Sequence, residues 1–177
     1  MDLMIKIANK YAQASFSETV YHGTFWSKGE QPHVEPELGY GELGAIYFSQ
    51  GEDTGEYFSD WHAGAEDTRV VFRGELKLAD PVEYTGRPGQ QSHYFELDDG
   101  QEFDIVRDRE ELYKALSDNG HDAFIIRDNY PDGDDIAVFD NDKFRTEEIK
   151  IKFPGEDWTD WLEPEAAVEL WEKETAK

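Results

Sequence analysis

The chain of 177 residues contains no cysteine. Disulfide bonds, thiolate metal ligands and a cysteine nucleophile are therefore excluded. Long hydrophobic runs are also missing, and no segment approaches the roughly 20 apolar residues of a membrane-spanning helix. The N-terminal residues do not predict a signal peptide, because their apolar stretch is short and Lys6 interrupts it. We expect no membrane partner and a cytoplasmic location, either in the producing cell or in a host or target cell.

Basic residues are scarce in this chain. The 17 lysines and arginines face 41 aspartates and glutamates, which gives a formal net charge of −24. This charge argues against direct binding of nucleic-acid phosphates, because like charges raise the barrier to encounter. Two interpretations of the charge remain open. It keeps the protein soluble, or it attracts a basic partner and imitates a polyanion such as DNA.

The composition, with 38% hydrophobic and 14% aromatic residues, is sufficient for a folded core. Apolar residues at helical spacing predict helices over residues 3–14, 53–65, 110–116 and 164–173. Apolar runs and alternation predict strands over 17–22, 45–49, 69–78, 123–126, 136–139 and 147–153. The turn residues at 129–134 predict that the fourth and fifth strands form a hairpin. Helices and strands without regular alternation indicate an α+β fold.

The C-terminal part of the chain differs in character from the rest. We predict a single domain over residues 1–153 and an acidic tail over 154–177, which holds three of the five tryptophans. Pro164 is well placed to start a helix in this tail. The helix packs back on the domain, as aromatic residues usually do, or it serves as a partner-binding arm.

Three short segments suggest a function. Tyr21-His22-Gly23-Thr24 ends an extended run, and Gly44–Ser49 (Gly-Ala-Ile-Tyr-Phe-Ser) follows it, with a further tyrosine at Tyr57. Asp134–Phe139 (Asp-Asp-Ile-Ala-Val-Phe) lies on the predicted hairpin. In this order, the segments resemble the NAD pocket of the ADP-ribosyltransferase superfamily. The similarity is to the branch with a histidine, a tyrosine and an acid, which includes diphtheria toxin, the poly(ADP-ribose) polymerases and bacterial and phage members.

The resemblance covers residues 20–144 approximately. Segments 69–81 and 120–126 resemble the strand after the family's tyrosine helix and the strand before its catalytic acid. The resemblance implies an α+β fold with a split pair of mostly antiparallel β-sheets and flanking helices. It also implies that NAD is the substrate, and that the three segments form its pocket.

The histidine motif would hold the ribose and the nicotinamide amide. His22 would position the ribose by donating a hydrogen bond to a hydroxyl, while the Gly23 backbone grips the amide. Thr24 offers a further hydroxyl, and Tyr21 belongs to the same binding segment. Outside the resemblance, a histidine at the end of a strand is equally a satisfied structural residue.

The second segment would bind the nicotinamide ring. Tyr47 and Tyr57 would stack on its two faces, each with a gain of about 0.5–1.5 kcal/mol beyond area burial. Phe48 and Ser49 belong to the same NAD-binding segment. The competing interpretation is that these aromatic residues belong to the hydrophobic core.

The third segment would supply the acid. Asp135 occupies the family's glutamate position before a short hydrophobic strand, where its carboxylate would stabilise a cationic ribose. Asp128 and Asp134 are alternatives on the same hairpin, and Asp128 is a further candidate for NAD binding. All three also fit as ordinary turn residues.

The resemblance predicts a mono-ADP-ribosyltransferase, which transfers ADP-ribose from NAD to a protein and releases nicotinamide. An NAD glycohydrolase, with water as the acceptor, would use the same residues. The alternative from another class is a non-enzymatic acidic protein that occupies a basic partner. The spacings of histidines and acids do not predict a zinc or EF-hand calcium site.

Overall fold

The computed structural model describes residues 16–36, 44–84 and 94–177 of the chain. The helix predicted over 3–14 and the loop predicted over 87–92 lie outside these ranges. The described helices are α1 (Glu52–His62), α2 (Arg109–Asp118) and α3 (Pro164–Thr175). The described strands are β1 (Phe16–Trp26), β2 (Ile46–Ser49), β3 (Thr68–Leu78), β4 (Pro81–Tyr84), β5 (Tyr94–Glu96), β6 (Glu102–Asp104), β7 (Ala123–Tyr130), β8 (Gly133–Val138) and β9 (Phe144–Lys152). This mixture confirms the α+β prediction.

The predicted elements agree well with the structure in type. The predicted hairpin is confirmed as the antiparallel pair β7–β8, although both strands extend further into the predicted turn. Helix α2 ends before Gly120, whose φ of 89° is a left-handed conformation that glycine adopts without strain. In the parts of the chain that the structure describes, no helix has both the length and the apolar character needed to cross a membrane.

Seven of the strands form one mixed sheet in the order β4-β7-β8-β2-β1-β3-β9, while β5 and β6 form a separate hairpin. Strands β4 and β7 are parallel, and the other pairs are antiparallel. Along β1, all residues from Phe16 to Trp26 pair with β3, but only Tyr21 pairs with β2, opposite Ser49. The sheet therefore consists of two blocks with a narrow junction between β1 and β2.

Two hydrophobic clusters pack on the sheet. The first contains Val20, Phe72 and Ile149, and the second contains Leu112 and Phe124. Strand β2 contributes to both, because successive side chains point to opposite faces of a strand. Its residues Ile46 and Phe48 belong to the first cluster, while Tyr47 packs against the second, to which Ala45 just before the strand also belongs.

The C-terminal tail packs on the first cluster. Trp171 of α3 is buried there, and its indole N–H donates to the hydroxyl of Thr68 at 3.1 Å. Before α3, Trp158 and Trp161 contact the ammonium of Lys150, which lies 4.9 and 5.1 Å from their ring centroids. These contacts agree with the interpretation that the tail packs back on the domain.

Candidate functional site

A cavity of about 360 Å³ lies at the junction between β1 and β2, beneath α1. Seven of the ten residues predicted for the NAD site line it: Tyr21, His22, Gly23, Thr24, Tyr47, Ser49 and Asp135. They come from β1, β2 and β8, which are far apart in the chain. Pockets of this size are typical of small-molecule sites.

Two features of β1 open this cavity. The strand pairs with β2 at one residue only, so that alternate residues beyond Tyr21 present N–H and C=O groups to the β2 side without a strand partner among the described residues. In addition, α1 crosses β1 at Gly23. A Cβ at that position would lie 2.0 Å from the carbonyl oxygen of Gly55 and 2.7 Å from the Ser59 nitrogen. Glycine is therefore required at this position by the packing of α1 on β1.

His22 is held in one orientation at the wall of the cavity. Its Nδ1 lies 2.7 Å from the carbonyl oxygen of Tyr47, and its ring stacks on Phe72 with a centroid distance of 6.0 Å. Burial lowers the pKa of His22 to about 4, although the hydrogen bond to Tyr47 opposes this effect. The ring is therefore neutral at pH 7. Because a carbonyl only accepts, Nδ1 carries the proton and Nε2 is an acceptor.

This tautomer changes one detail of the sequence prediction. We expected His22 to donate to a ribose hydroxyl, but the donor nitrogen is already bonded to Tyr47. The remaining nitrogen of a neutral ring accepts a hydrogen bond from a hydroxyl instead. A contact of His22 with a ribose hydroxyl would therefore run in the opposite direction to the one predicted.

Tyr47 lies between the cavity and the second hydrophobic cluster. Its ring centroid is 6.3 Å from that of Tyr113. The hydroxyl is buried beside Tyr113 and Arg109, but it makes no hydrogen bond of standard geometry with the described residues. Burial raises the pKa of Tyr47, so the phenol is neutral at pH 7. Its ring forms part of the apolar wall of the cavity, and its hydroxyl lies at the end of the ring, beside Tyr113 and Arg109.

Of the three candidate acids, Asp135 alone lines the cavity. It is 5% exposed, and its Oδ2 lies 3.4 Å from the side-chain nitrogen of Asn129. Burial raises the pKa of Asp135, while Arg109 at the same cavity and hydrogen bonds with Tyr130 and Asn129 lower it. A carboxylate that is largely desolvated and has no salt bridge exerts a strong electrostatic effect on a nearby cation.

Asp134 and Asp128 have structural roles. Asp134 forms a salt bridge with Arg127 at 2.5 Å and accepts a hydrogen bond from the backbone N–H of Asp128 at 2.8 Å. Asp128 has a left-handed φ of 51°, within the irregular pairing between Ile126 and Tyr130. Neither residue lines the cavity.

The turn between β7 and β8 is fixed to α1. The N-cap residue of α1 is Gly51, which has no side chain to cap the helix. Asp132 from the turn caps the helix instead: it accepts a hydrogen bond from the Thr54 backbone N–H at 3.1 Å and a second from the Thr54 hydroxyl. This contact holds the strand of Asp135 at a defined distance from the helix that covers the cavity.

Tyr57 and Phe48 do not line the cavity. Tyr57 is 61% exposed on α1, and Phe48 is buried in the first cluster on the opposite face of β2 from Tyr47. Phe58 occupies the cavity wall where Tyr57 was expected. Its ring makes an edge contact with Tyr130 at a centroid distance of 5.6 Å. Of the two tyrosines predicted to stack on the ligand, only Tyr47 lines the cavity, and Phe58 is the aromatic residue of α1 that lies there in place of Tyr57.

Sequence reasoning missed several other residues of the wall: Phe25, His33, Trp61, His62, Arg109 and Tyr130. Helical spacing gives a signal for Trp61, which follows Phe58 by three residues and so lies on a neighbouring part of the helix surface. Arg109 gives no such signal, because it reaches the cavity from α2 on a different part of the chain. Among the described residues, no cluster of three or more histidines and acids has an arrangement suited to a metal ion.

Comparison with known proteins gives no family assignment: no family model matches the chain, and no curated protein matches it.

Proposed function

We propose that this protein is an NAD-dependent mono-ADP-ribosyltransferase that modifies a protein and releases nicotinamide. The observation that carries the proposal is the convergence of His22, Tyr47 and Asp135 on one cavity from three separate strands. The narrow junction of the sheet at this place is compatible with the split pair of sheets that the resemblance implies. The similarity of the three sequence segments to the superfamily supplies the identity of the ligand.

The proposed reaction breaks the bond between the ribose C1′ and the nicotinamide nitrogen. The electron pair of this bond leaves with the nicotinamide, which departs as a neutral molecule, and the ribose becomes oxocarbenium-like. A nucleophile of the acceptor protein then forms a bond to C1′ and loses its proton to solvent. With water as the nucleophile, the same steps are NAD hydrolysis.

Four residues would lower the barrier of this reaction. The carboxylate of Asp135 would stabilise the positive charge on the ribose, and its effect is strengthened by burial. His22 would accept a hydrogen bond from a ribose hydroxyl through Nε2. Tyr47 and Phe58 would enclose the nicotinamide ring by stacking, which holds the scissile bond near the acid.

The test is to incubate the purified protein with NAD and a cell lysate, and to measure released nicotinamide and protein-bound ADP-ribose. We expect both products from the native chain, and a loss of both with His22→Ala. His121→Ala is the matched control, since His121 lies on a different cavity near Asp80. Nicotinamide release without transfer would support a glycohydrolase.

A non-enzymatic acidic binder is the second candidate, and the net charge of −24 favours it. It predicts a basic partner whose binding is independent of NAD and unchanged in His22→Ala. The absence of both nicotinamide release and NAD binding in the test above would contradict the transferase and favour this candidate.

A further inference from the structure

Helix α1 carries two large aromatic side chains that face solvent beside the cavity. Tyr57 is 61% exposed and Trp61 is 69% exposed, and their ring centroids are 6.2 Å apart. Trp61 also lines the cavity. We call these two residues the α1 aromatic surface. Large exposed aromatic groups next to one another are uncommon on a monomer and mark interaction sites.

The α1 aromatic surface is bordered by carboxylates. Asp53 is exposed four residues before Tyr57, and thus on the same side of the helix. Asp60 precedes Trp61 along α1; its side chain is 51% exposed, and its carboxylate already pairs with Arg69 at 2.5 Å. Exposed aromatic rings with a carboxylate on the same side of the helix are complementary to a cation that stacks and donates hydrogen bonds.

The guanidinium of arginine has these properties. It is planar and weakly hydrated, stacks on aromatic rings, and donates paired hydrogen bonds to carboxylates. The ammonium of lysine is a compact, strongly hydrated charge that stacks less well. The net charge of −24 also favours approach by a basic protein segment and opposes approach by nucleic acid.

We propose that the α1 aromatic surface docks an arginine-bearing segment of the protein that this chain modifies. The position of Trp61 at the cavity would bring that segment to the place where the ribose reacts. The inference rests on the proposed function in identifying the docked protein with the acceptor. Binding of the arginine segment itself requires no NAD.

The experiment measures binding by fluorescence anisotropy, without NAD, at physiological ionic strength. The probes are a labelled arginine–serine repeat peptide and a lysine–serine peptide of equal length and charge. The proteins are the native chain, Trp61→Ala, Tyr57→Ala and the control Tyr94→Ala. Tyr94 is 57% exposed on β5, so its removal changes the exposed aromatic area away from α1 without a change in charge. Thermal unfolding of each variant verifies its fold.

We expect the arginine peptide to bind more tightly than the lysine peptide. Trp61→Ala should weaken its binding by about three- to tenfold, the range for a partly exposed cation–π contact. Tyr57→Ala should have a smaller effect in the same direction, and Tyr94→Ala should change binding by less than about twofold. Because these changes in affinity are small, they must be compared with those of the lysine–serine peptide and of the Tyr94→Ala variant.

Equal binding of the arginine peptide to the native chain and Trp61→Ala would overturn the proposal, since charge alone would then explain the binding. A second measurement, NAD binding to the same variants, separates the two proposals. If Trp61→Ala weakens NAD binding but not peptide binding, Trp61 belongs to the dinucleotide site and the docking surface is refuted. If peptide binding depends on Trp61 but nicotinamide is never released, the docking surface stands and the transferase does not.

Discussion

Two neighbouring buried acids on opposite faces of β8 differ in their contacts. Asp134 and Asp135 are consecutive and nearly equally buried, with 4% and 5% exposure. On one face, Asp134 is neutralised by Arg127 and accepts the Asp128 N–H. On the other face, Asp135 has no salt bridge among the described residues; it interacts with Asn129 at 3.4 Å, with the hydroxyl of Tyr130 and, electrostatically, with Arg109, and its side chain meets the cavity.

The difference between these neighbours separates a structural acid from a candidate functional one. A buried carboxylate that is paired and hydrogen-bonded stabilises the local fold. A buried carboxylate whose partners do not fully offset its burial is unfavourable, and the raised pKa of Asp135 shows that burial outweighs its contacts with Arg109, Tyr130 and Asn129. Groups of the second kind cluster at functional sites, where a ligand supplies the missing interaction.

The largest expected effect concerns turnover. Asp135→Asn removes the charge that would stabilise the ribose cation, and should lower the rate of nicotinamide release by about 100- to 1000-fold. Asp134→Asn alters the other face of the same strand and should leave the rate within about threefold of the native chain, measured at a temperature where it is fully folded. Similar rate losses in both variants would remove the distinction between the two acids.

The second effect concerns stability, and here we expect Asp134→Asn, not Asp135→Asn, to be the damaging substitution. Because the folded-state pKa of Asp135 is raised, ionisation of this group destabilises the fold at neutral pH. Asp135→Asn should therefore raise the free energy of unfolding at pH 7, and this gain should shrink as the pH falls towards the pKa of unfolded aspartate. Asp134→Asn should lower it by about 2 kcal/mol, since Arg127 loses a buried partner. Urea unfolding at several pH values measures both, and a destabilised Asp135→Asn would contradict the account.

The third effect compares neighbouring aromatic residues on α1. Phe58 lines the cavity and Tyr57 faces solvent. Phe58→Ala should weaken NAD binding by about tenfold, because it removes one stacking surface and its buried area. Tyr57→Ala should leave NAD binding within about twofold. Isothermal titration calorimetry of NAD binding to both variants tests this assignment. A larger loss of affinity in Tyr57→Ala than in Phe58→Ala would favour Tyr57, the residue that the sequence predicts.

The sequence predicted the elements that are marked by local repeating patterns. It did not predict which helix residue faces the cavity, because this depends on the rotation of the helix about its axis. The strand β3 and the hairpin β7–β8 were predictable because alternation and turn residues are local signals. The choice of Phe58 over Tyr57 depends on the rotation of α1 about its axis, which successive residues change by about 100°. That rotation is fixed by distant contacts, such as the Asp132 cap and the passage over Gly23.

The choice of Asp135 among three acids was beyond the sequence for a related reason. A shift of one residue in strand register exchanges the two faces of a strand. The register of β8 against its two neighbours, which places Asp135 opposite Ser49 and Ile126, sets which acid meets the cavity, and only the assembled sheet reveals it. Arg109 illustrates the limit, because it reaches the cavity from α2 through tertiary packing alone.

A titration of the ¹⁵N-labelled protein with nicotinamide, followed by two-dimensional NMR, shows directly whether this cavity binds nicotinamide, as an NAD site must. We expect the largest amide shifts at Gly23, Thr24, Phe58 and Asp135. We expect no shift at Val82 and Asn119, which line a separate cavity. Shifts confined to that second cavity, or no shifts at saturating nicotinamide, would show that the proposed site does not bind nicotinamide.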